Sequence, residues 1–478
     1  MKKLKTVMAM VTTLMMFATL CVSASVVGEK FTKYEIISTA ERKVVGVDTQ
    51  GLVIYCENNG KLKAYDVLTN ELLFDLEHSP DEISRFVDGR AFAPDKENGV
   101  GVILSKSGEK VAEIPGNYVY SKEFKNGLIC FINRELTENV YTIIDRKGKI
   151  IVGEFYVPEC ELENGNIVIA NAGGGFSLVE KDGTVRELKL KKNVRIEDAI
   201  SLADGTYAGS DGNVYSANNK CLFEGKDYDK VSPINKNYIL AVKKQENGYE
   251  KYIIDIKDKK ETVIKDGGYL NNYIYSGGYV SDGRVIVGDD NRYALIDLKT
   301  GELLEKNLLG HTGFSDGVCT VIVDDGAMPV YRFMKSDGEF FEGEYLFATG
   351  FEQGFAVAVE PETGEVVIVE KDGAKTVIEN IELKNFDSFE NINDGNEYVF
   401  EKIEFNGKTV EKTDAGNICI NKGNGIISIF IRKPEEKTAG RALVGVGAVI
   451  SLAFVAVVGG YAYKRLKRRN EGEKENGK

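Results

Sequence analysis

Phe351-Glu-Gln-Gly-Phe-Ala-Val-Ala-Val359 joins a phenylalanine, a glycine three residues later and an apolar, alternating run. The same spacing returns at Phe86 and Gly89, at Phe124 and Gly127, and at Phe314 and Gly317. Working outward, glycines at Gly51, Gly165, Gly205, Gly283, Gly354 and Gly395 extend the series at intervals near 38 residues, with one double-length gap. Asn237 stands inside that gap where a glycine is expected. A fixed period of this size marks a repeat protein whose units stack to bury their faces. The anchors count ten candidate units.

Some 18 to 21 residues after each anchor a second turn appears, as at Ser107-Gly108, Lys147-Gly148, Asp182-Gly183, Thr300-Gly301, Asp337-Gly338 and Asp372-Gly373. β-type residues flank each of them. Ile143-Ile-Asp-Arg-Lys-Gly-Lys-Ile-Ile151 and Leu295 to Leu304 read as a strand, a turn with a glycine for positive φ, and a returning strand. Two hairpins per unit give about four short strands, which favours radial stacking around an axis over a linear solenoid. No long amphipathic helical pattern appears between residues 30 and 432. The expected fold is all-β: a β-propeller-like body of seven to ten short four-stranded repeats, followed by one transmembrane helix. Ring closure is expected to pair Phe31 to Ile37 with Ile426 to Ile431.

The pattern Phe-x-x-Gly-x-Ala followed by Ile-Asp-x-x-Gly-Lys, clearest in Phe124 to Ile151 and Phe314 to Ala358, resembles the WG-repeat family. The chain has no tryptophan, so the Trp-Gly pair that names that family is missing throughout. Ala64 to Leu73 and Asp297-Leu-Lys-Thr-Gly-Glu302 are similar to PQQ-like propeller repeats. Both resemblances imply a repeat scaffold, and neither implies an activity.

The ends speak of location. Lys2, Lys3 and Lys5 precede an apolar stretch from Val7 to Val22 and small residues around Ala24, a secretory signal over 1–24 with cleavage expected after Ala24. Leu20 before Cys21 argues against a lipoprotein. Ala442 to Tyr463 is a run of 22 uncharged residues, about 33 Å as a helix and enough to span a membrane. The basic tail 464–478 is expected to stay cytoplasmic, which leaves the repeat body 25–432 and its linker 433–441 outside the cell. Lys433-Pro-Glu-Glu-Lys-Thr-Ala-Gly440 is not a sortase motif, so the anchor is expected to be retained. Gly447 and Ser451, and Ala456 and Gly460, fall on small-x-x-x-small spacing, a weak basis for self-association.

The signal holds 3 basic residues and the tail 7 basic and 3 acidic, which leaves 51 basic and 71 acidic residues between them, a net charge of −20. Such a surface repels nucleic acid. Six cysteines follow the signal at spacings of 74, 30, 61, 98 and 100 residues, with no disulfide or metal pattern. Cys130, Cys319 and Cys419 lie in strand-like runs and read as buried free thiols.

No catalytic, cofactor-binding or metal-ligating residue stands out. The only histidines, His78 and His311, sit in turn-like contexts and read as exposed loop residues, short of what nucleophilic catalysis or a zinc site needs. Asp289-Asp290 and Asp324-Asp325 read as hairpin turns before they read as a glycosidase pair. Gly173-Gly-Gly175 reads as a bulge or tight turn, and Ser201 to Tyr207 only echoes a sialidase Asp-box. Tyr269, Tyr273, Tyr275 and Tyr279 cluster and either face a ligand or alternate into the sheet. The leading expectation is a membrane-anchored, non-enzymatic surface scaffold that binds a protein, peptide or cell-wall glycan. The alternative is a carbohydrate-active hydrolase or lyase on the same scaffold.

Overall fold

A computed structural model of the chain describes residues 22–433 apart from short internal stretches, the longest being 189–205 and 384–399. The described elements are strands, save one turn of 3-10 helix at Pro80–Glu82. Among the described residues no helix is long and apolar enough to cross a membrane. The signal core, the expected span at Ala442 to Tyr463 and the anchors Gly165, Gly205 and Gly395 lie outside the described residues.

Neighbouring strands pair antiparallel, mostly in chain order. The first blade runs Arg42–Asp48, Val53–Asn58, Lys61–Asp66 and Leu72–Leu76, from inner to outer strand. The described strands form eight sheets. Two of these pass through a long strand that serves two blades. Ile150–Glu161 pairs through Phe155 with the strand before it and from Phe155 onward with the strand after it. Leu303–Ser315 divides in the same way around Leu308. Blades therefore outnumber sheets, and the fold is an all-β propeller of nine or more blades.

Closure follows the pairing expected from sequence. Phe31–Ile37 lies antiparallel to Ile426–Arg432, from Phe31 opposite Arg432 to Ile37 opposite Ile426. An outer strand, Val22–Val27, covers the closing strand in turn, and the expected cleavage point after Ala24 falls inside it. Cleavage there leaves Ser25, Val26 and Val27 opposite Lys33, Thr32 and Phe31.

The anchor glycines earn their period through turn geometry. Asp88-Gly89, Asp282-Gly283, Asp316-Gly317 and Gln353-Gly354 all have positive φ at both residues, the requirement of a tight I′-type hairpin between a blade's first and second strands. The carbonyls of Gly89, Gly283 and Gly317 then accept backbone N–H bonds from Lys106, Leu298 and Ser336 at 2.9, 2.9 and 3.0 Å. Asn237 accepts the same bond from Ile256 at 2.8 Å, so it does occupy an anchor position. The companion phenylalanines Phe86, Phe124 and Phe351 are fully buried between blades.

The strand Phe355–Val359 is buried at all five positions, because a neighbouring blade covers each of its faces. The in-out alternation of a half-exposed sheet is thus replaced by alternation of large and small side chains. Lys412, at the end of the strand Lys408–Lys412, locks this region to the last blade. Its buried ammonium donates to the carbonyls of Gly350, Glu352 and Phe355 at 3.1, 3.0 and 2.8 Å and lies 4.4 Å from the Phe355 ring centre.

Candidate functional site

Beside the closing seam, a cavity of about 650 Å³ opens between the innermost strands of the first and last blades. That volume falls within the roughly 300–1,000 Å³ of small-ligand sites. One wall is Arg42–Asp48, the terminal strand of its sheet; the opposite wall includes Lys402–Phe405, terminal in the six-stranded closing sheet.

Asp48 holds the floor in shape. Its Oδ1 accepts the N–H groups of Gln50 and Gly51 at 3.0 and 2.8 Å, and its Oδ2 accepts that of Phe86 at 2.6 Å. Burial raises the pKa of this carboxyl, against the opposing pull of the Gly51 and Phe86 amides. The backbone at Gly51 passes so close to Phe86 that a Cβ there would lie 2.3 Å from the phenylalanine Cβ. Here the anchor glycine is required by close approach, and Asp48 ties the first blade's turn to the second blade's anchor.

The walls carry two exposed ion pairs. Arg85, next to Phe86, reaches Glu411 of the last blade at 3.0 Å, and Lys402 meets Glu404 at 3.4 Å along one strand. Val45 is the residue skipped where the register shifts between Val44 and Gly46, and that bulge leaves it well exposed at the cavity. Bulges re-aim side chains in this way. Deeper in, the Cys419 thiol is pushed up to about 12 by burial and is held as an inert thiol.

Of the residues weighed from sequence for catalysis, metal binding, ligand contact or thiol chemistry, Cys419 alone lines this cavity among the described residues. His311 corrects its expected place: it lies in the strand Leu303–Ser315, half-buried, with the Tyr293 ring edge-on at 4.8 Å and its Nδ1 accepting the Gly313 N–H at 3.1 Å. Burial holds its pKa at about 4. The alternation around Gly-His-Thr-Gly is that of a kinked strand, which glycines disguise as a loop. His78 lies outside the described residues.

Asp289 is a turn residue as expected, fully buried and accepting the N–H groups of Asn271 and Arg292 at 2.9 and 3.0 Å. Asp324 follows the strand Val318–Val323, while Asp290 and Asp325 lie outside the described residues. Gly175 has φ +82 and its carbonyl accepts the Asn171 N–H, while Gly173 and Gly174 lie outside the described residues. The described end of the Asp-box echo, Thr206 and Tyr207, is buried. The Tyr269 hydroxyl accepts the Asn307 N–H at 2.7 Å, so this tyrosine serves packing between blades. Cys56, Cys130, Cys319 and Cys419 are buried free thiols; Cys221 is exposed.

Sequence reading missed Arg85, Lys402, Glu404 and Glu411. Arg85 and Glu411 stand 326 residues apart and belong to no local motif, so only closure of the ring brings them together.

No family model matches the chain, and no curated protein matches it. Solved structures do. The dihydro-heme d1 dehydrogenase NirN is 14% identical, covers 62% of this chain and 75% of its own, and gives a TM-score of 0.34. PorZ, a surface component of the type-IX secretion system of Porphyromonas gingivalis, is 11% identical over 85% of this chain and 54% of its own, with a TM-score of 0.28. The WD40 domain of SCAP from fission yeast is 10% identical over 86% and 98%, with a TM-score of 0.24. At these scores the likenesses bring no activity, substrate or partner to this chain.

Proposed function

We propose that this chain is a membrane-anchored, extracytoplasmic binding scaffold whose propeller, built from degenerate WG-type repeats, takes a protein, peptide or wall-glycan ligand at the seam cavity. One observation carries the reading: the cavity's charges form exposed pairs, Arg85 with Glu411 and Lys402 with Glu404, rather than a converging catalytic set. Exposed pairs contribute only about 0–1 kcal/mol each, so an incoming charged group exchanges with them at little cost. The signal and the apolar segment Ala442 to Tyr463 support the location. A glycoside hydrolase would need two carboxyls free to act on one bond. The cavity's Asp48 is committed to three backbone amides, and Glu411 and Glu404 each face a cation.

Two measurements test the proposal. Protease treatment of intact cells should remove the propeller while a tag fused after Lys478 stays protected; a protected propeller would overturn the location. The full chain, solubilised and immobilised through that tag, should retain a ligand from wall fragments or surface peptides. An R85E/E411R/E404K variant should not retain it, and equal retention would overturn the site.

A further inference from the structure

The cavity is bounded by two strands that each end a sheet. Arg42–Asp48 is terminal in the order of the first blade, and Lys402–Phe405 is terminal in the closing sheet. Along the first of these, the Val44 N–H already donates to the Ser38 hydroxyl at 3.1 Å. Past it comes the bulge at Val45; Gly46 and Val47 pair on one side with Tyr55 and Ile54, and on the other side, toward the cavity that Val45, Gly46 and Val47 line, no strand pairs with them among the described residues. An edge of this kind pairs with an extended chain, which gains affinity from main-chain hydrogen bonds and specificity from alternate side chains.

Gly46 keeps the edge low. Its backbone packs against Pro80, so that a Cβ would lie 3.3 Å from the proline Cβ. Val45 supplies an apolar contact beside Ile83 and Pro80. Of the four charged side chains in the ion pairs, Glu404 is the most exposed at 64%, against 48% for Lys402, 43% for Arg85 and 22% for Glu411. The whole body carries a net charge of −20, which draws cationic ligands toward it and repels anionic ones.

We propose that the seam cavity accepts an extended basic peptide, which pairs with the free edge at Val45 to Val47 and sets a lysine or arginine side chain against Glu404 and Glu411. The inference rests on the reading of this cavity as a binding site and names the ligand class within it. Glycan binding and anionic peptide binding are the outcomes that oppose it.

The test uses full-length protein in detergent micelles and two labelled, end-blocked pentapeptides, one alternating valine with lysine and one alternating valine with glutamate. Fluorescence anisotropy should show the valine–lysine peptide binding at least tenfold more tightly, with Kd rising as salt is added. E404K should weaken it about tenfold. E404K alters an exposed side chain, and its melting curve, recorded alongside, should match that of the parent. Equal binding of both peptides, no binding of either, or unchanged binding by E404K overturns the inference. Retention of wall glycan by the immobilised chain with neither peptide binding would sink the peptide while leaving the broader site intact.

Discussion

Lys33 and Glu379 join two blades that share no ladder: the Lys33 ammonium lies 2.8 Å from the Glu379 carboxylate. Lys33 belongs to the closing strand and Glu379 to the outer strand Lys375–Asn380 of the blade before the seam. Lys422 and the Ser428 hydroxyl reach the same carboxylate at 2.9 and 2.8 Å. The closing strand is thus held by side chains as well as by its ladder. Burial alone would raise the Glu379 pKa, but the hydrogen bonds from Lys33, Lys422 and Ser428 outweigh it and hold the carboxyl at about 2.

A folded-state pKa below the ordinary 4.5 means that this stabilisation is complete above about pH 4.5 and is lost as pH falls through about 2. Glu379→Gln should cost about 2 kcal/mol at pH 7. In urea melts, the gap between variant and parent should close as pH falls from 4.5 toward 2. A gap that stays constant over that range would refute the assignment.

Lys412→Met should destabilise the fold by about 3 kcal/mol, because the stem stays while three buried carbonyls lose their shared donor. Chemical denaturation measures the loss. A change below about 1 kcal/mol would mean that water replaces the ammonium.

Two glycines of nearly equal φ separate strain from crowding. A Cβ on Gly354, φ +82, meets nothing within 4 Å, whereas one on Gly108, φ +81, would stand 2.4 Å from the Phe74 Cβ. Gly354→Ala should cost about 1–2 kcal/mol, from backbone strain alone. Gly108→Ala should cost clearly more; equal melting points for the two variants would contradict this.

His311 should titrate near pH 4 in the folded protein, against an ordinary value of 6.5. Its folded pKa is depressed, so the folded state binds fewer protons, and stability falls as pH drops from 6.5 through 4. NMR of the imidazole ring reads the midpoint directly, and His311→Gln should flatten the stability profile in that window. A midpoint at or above 6 would place the ring in solvent.

Among the five thiols Cys56, Cys130, Cys221, Cys319 and Cys419, a thiol reagent at neutral pH should modify only exposed Cys221 in the native protein. Burial pushes the Cys319 and Cys419 thiols to about 12. Peptide mapping that finds either labelled without denaturant would show the seam or its neighbours opening.

The sequence by itself determined the repeat, the hairpins and the closure, because these depend on local chemistry: positive φ at Gly89, Gly283, Gly317 and Gly354 forces a turn wherever it recurs. The pairing of Phe31–Ile37 with Ile426–Arg432 was legible for a related reason, since a ring of such units leaves its first and last strands needing each other. Local reading failed where a strand kinks, as at His311, whose neighbouring glycines imitate a loop. It could not reach the seam cavity, the Lys412 lock or the Lys33–Glu379 contact. Those arise from groups hundreds of residues or several strands apart, with no shared motif, and only the curvature of the closed ring decides which of them meet.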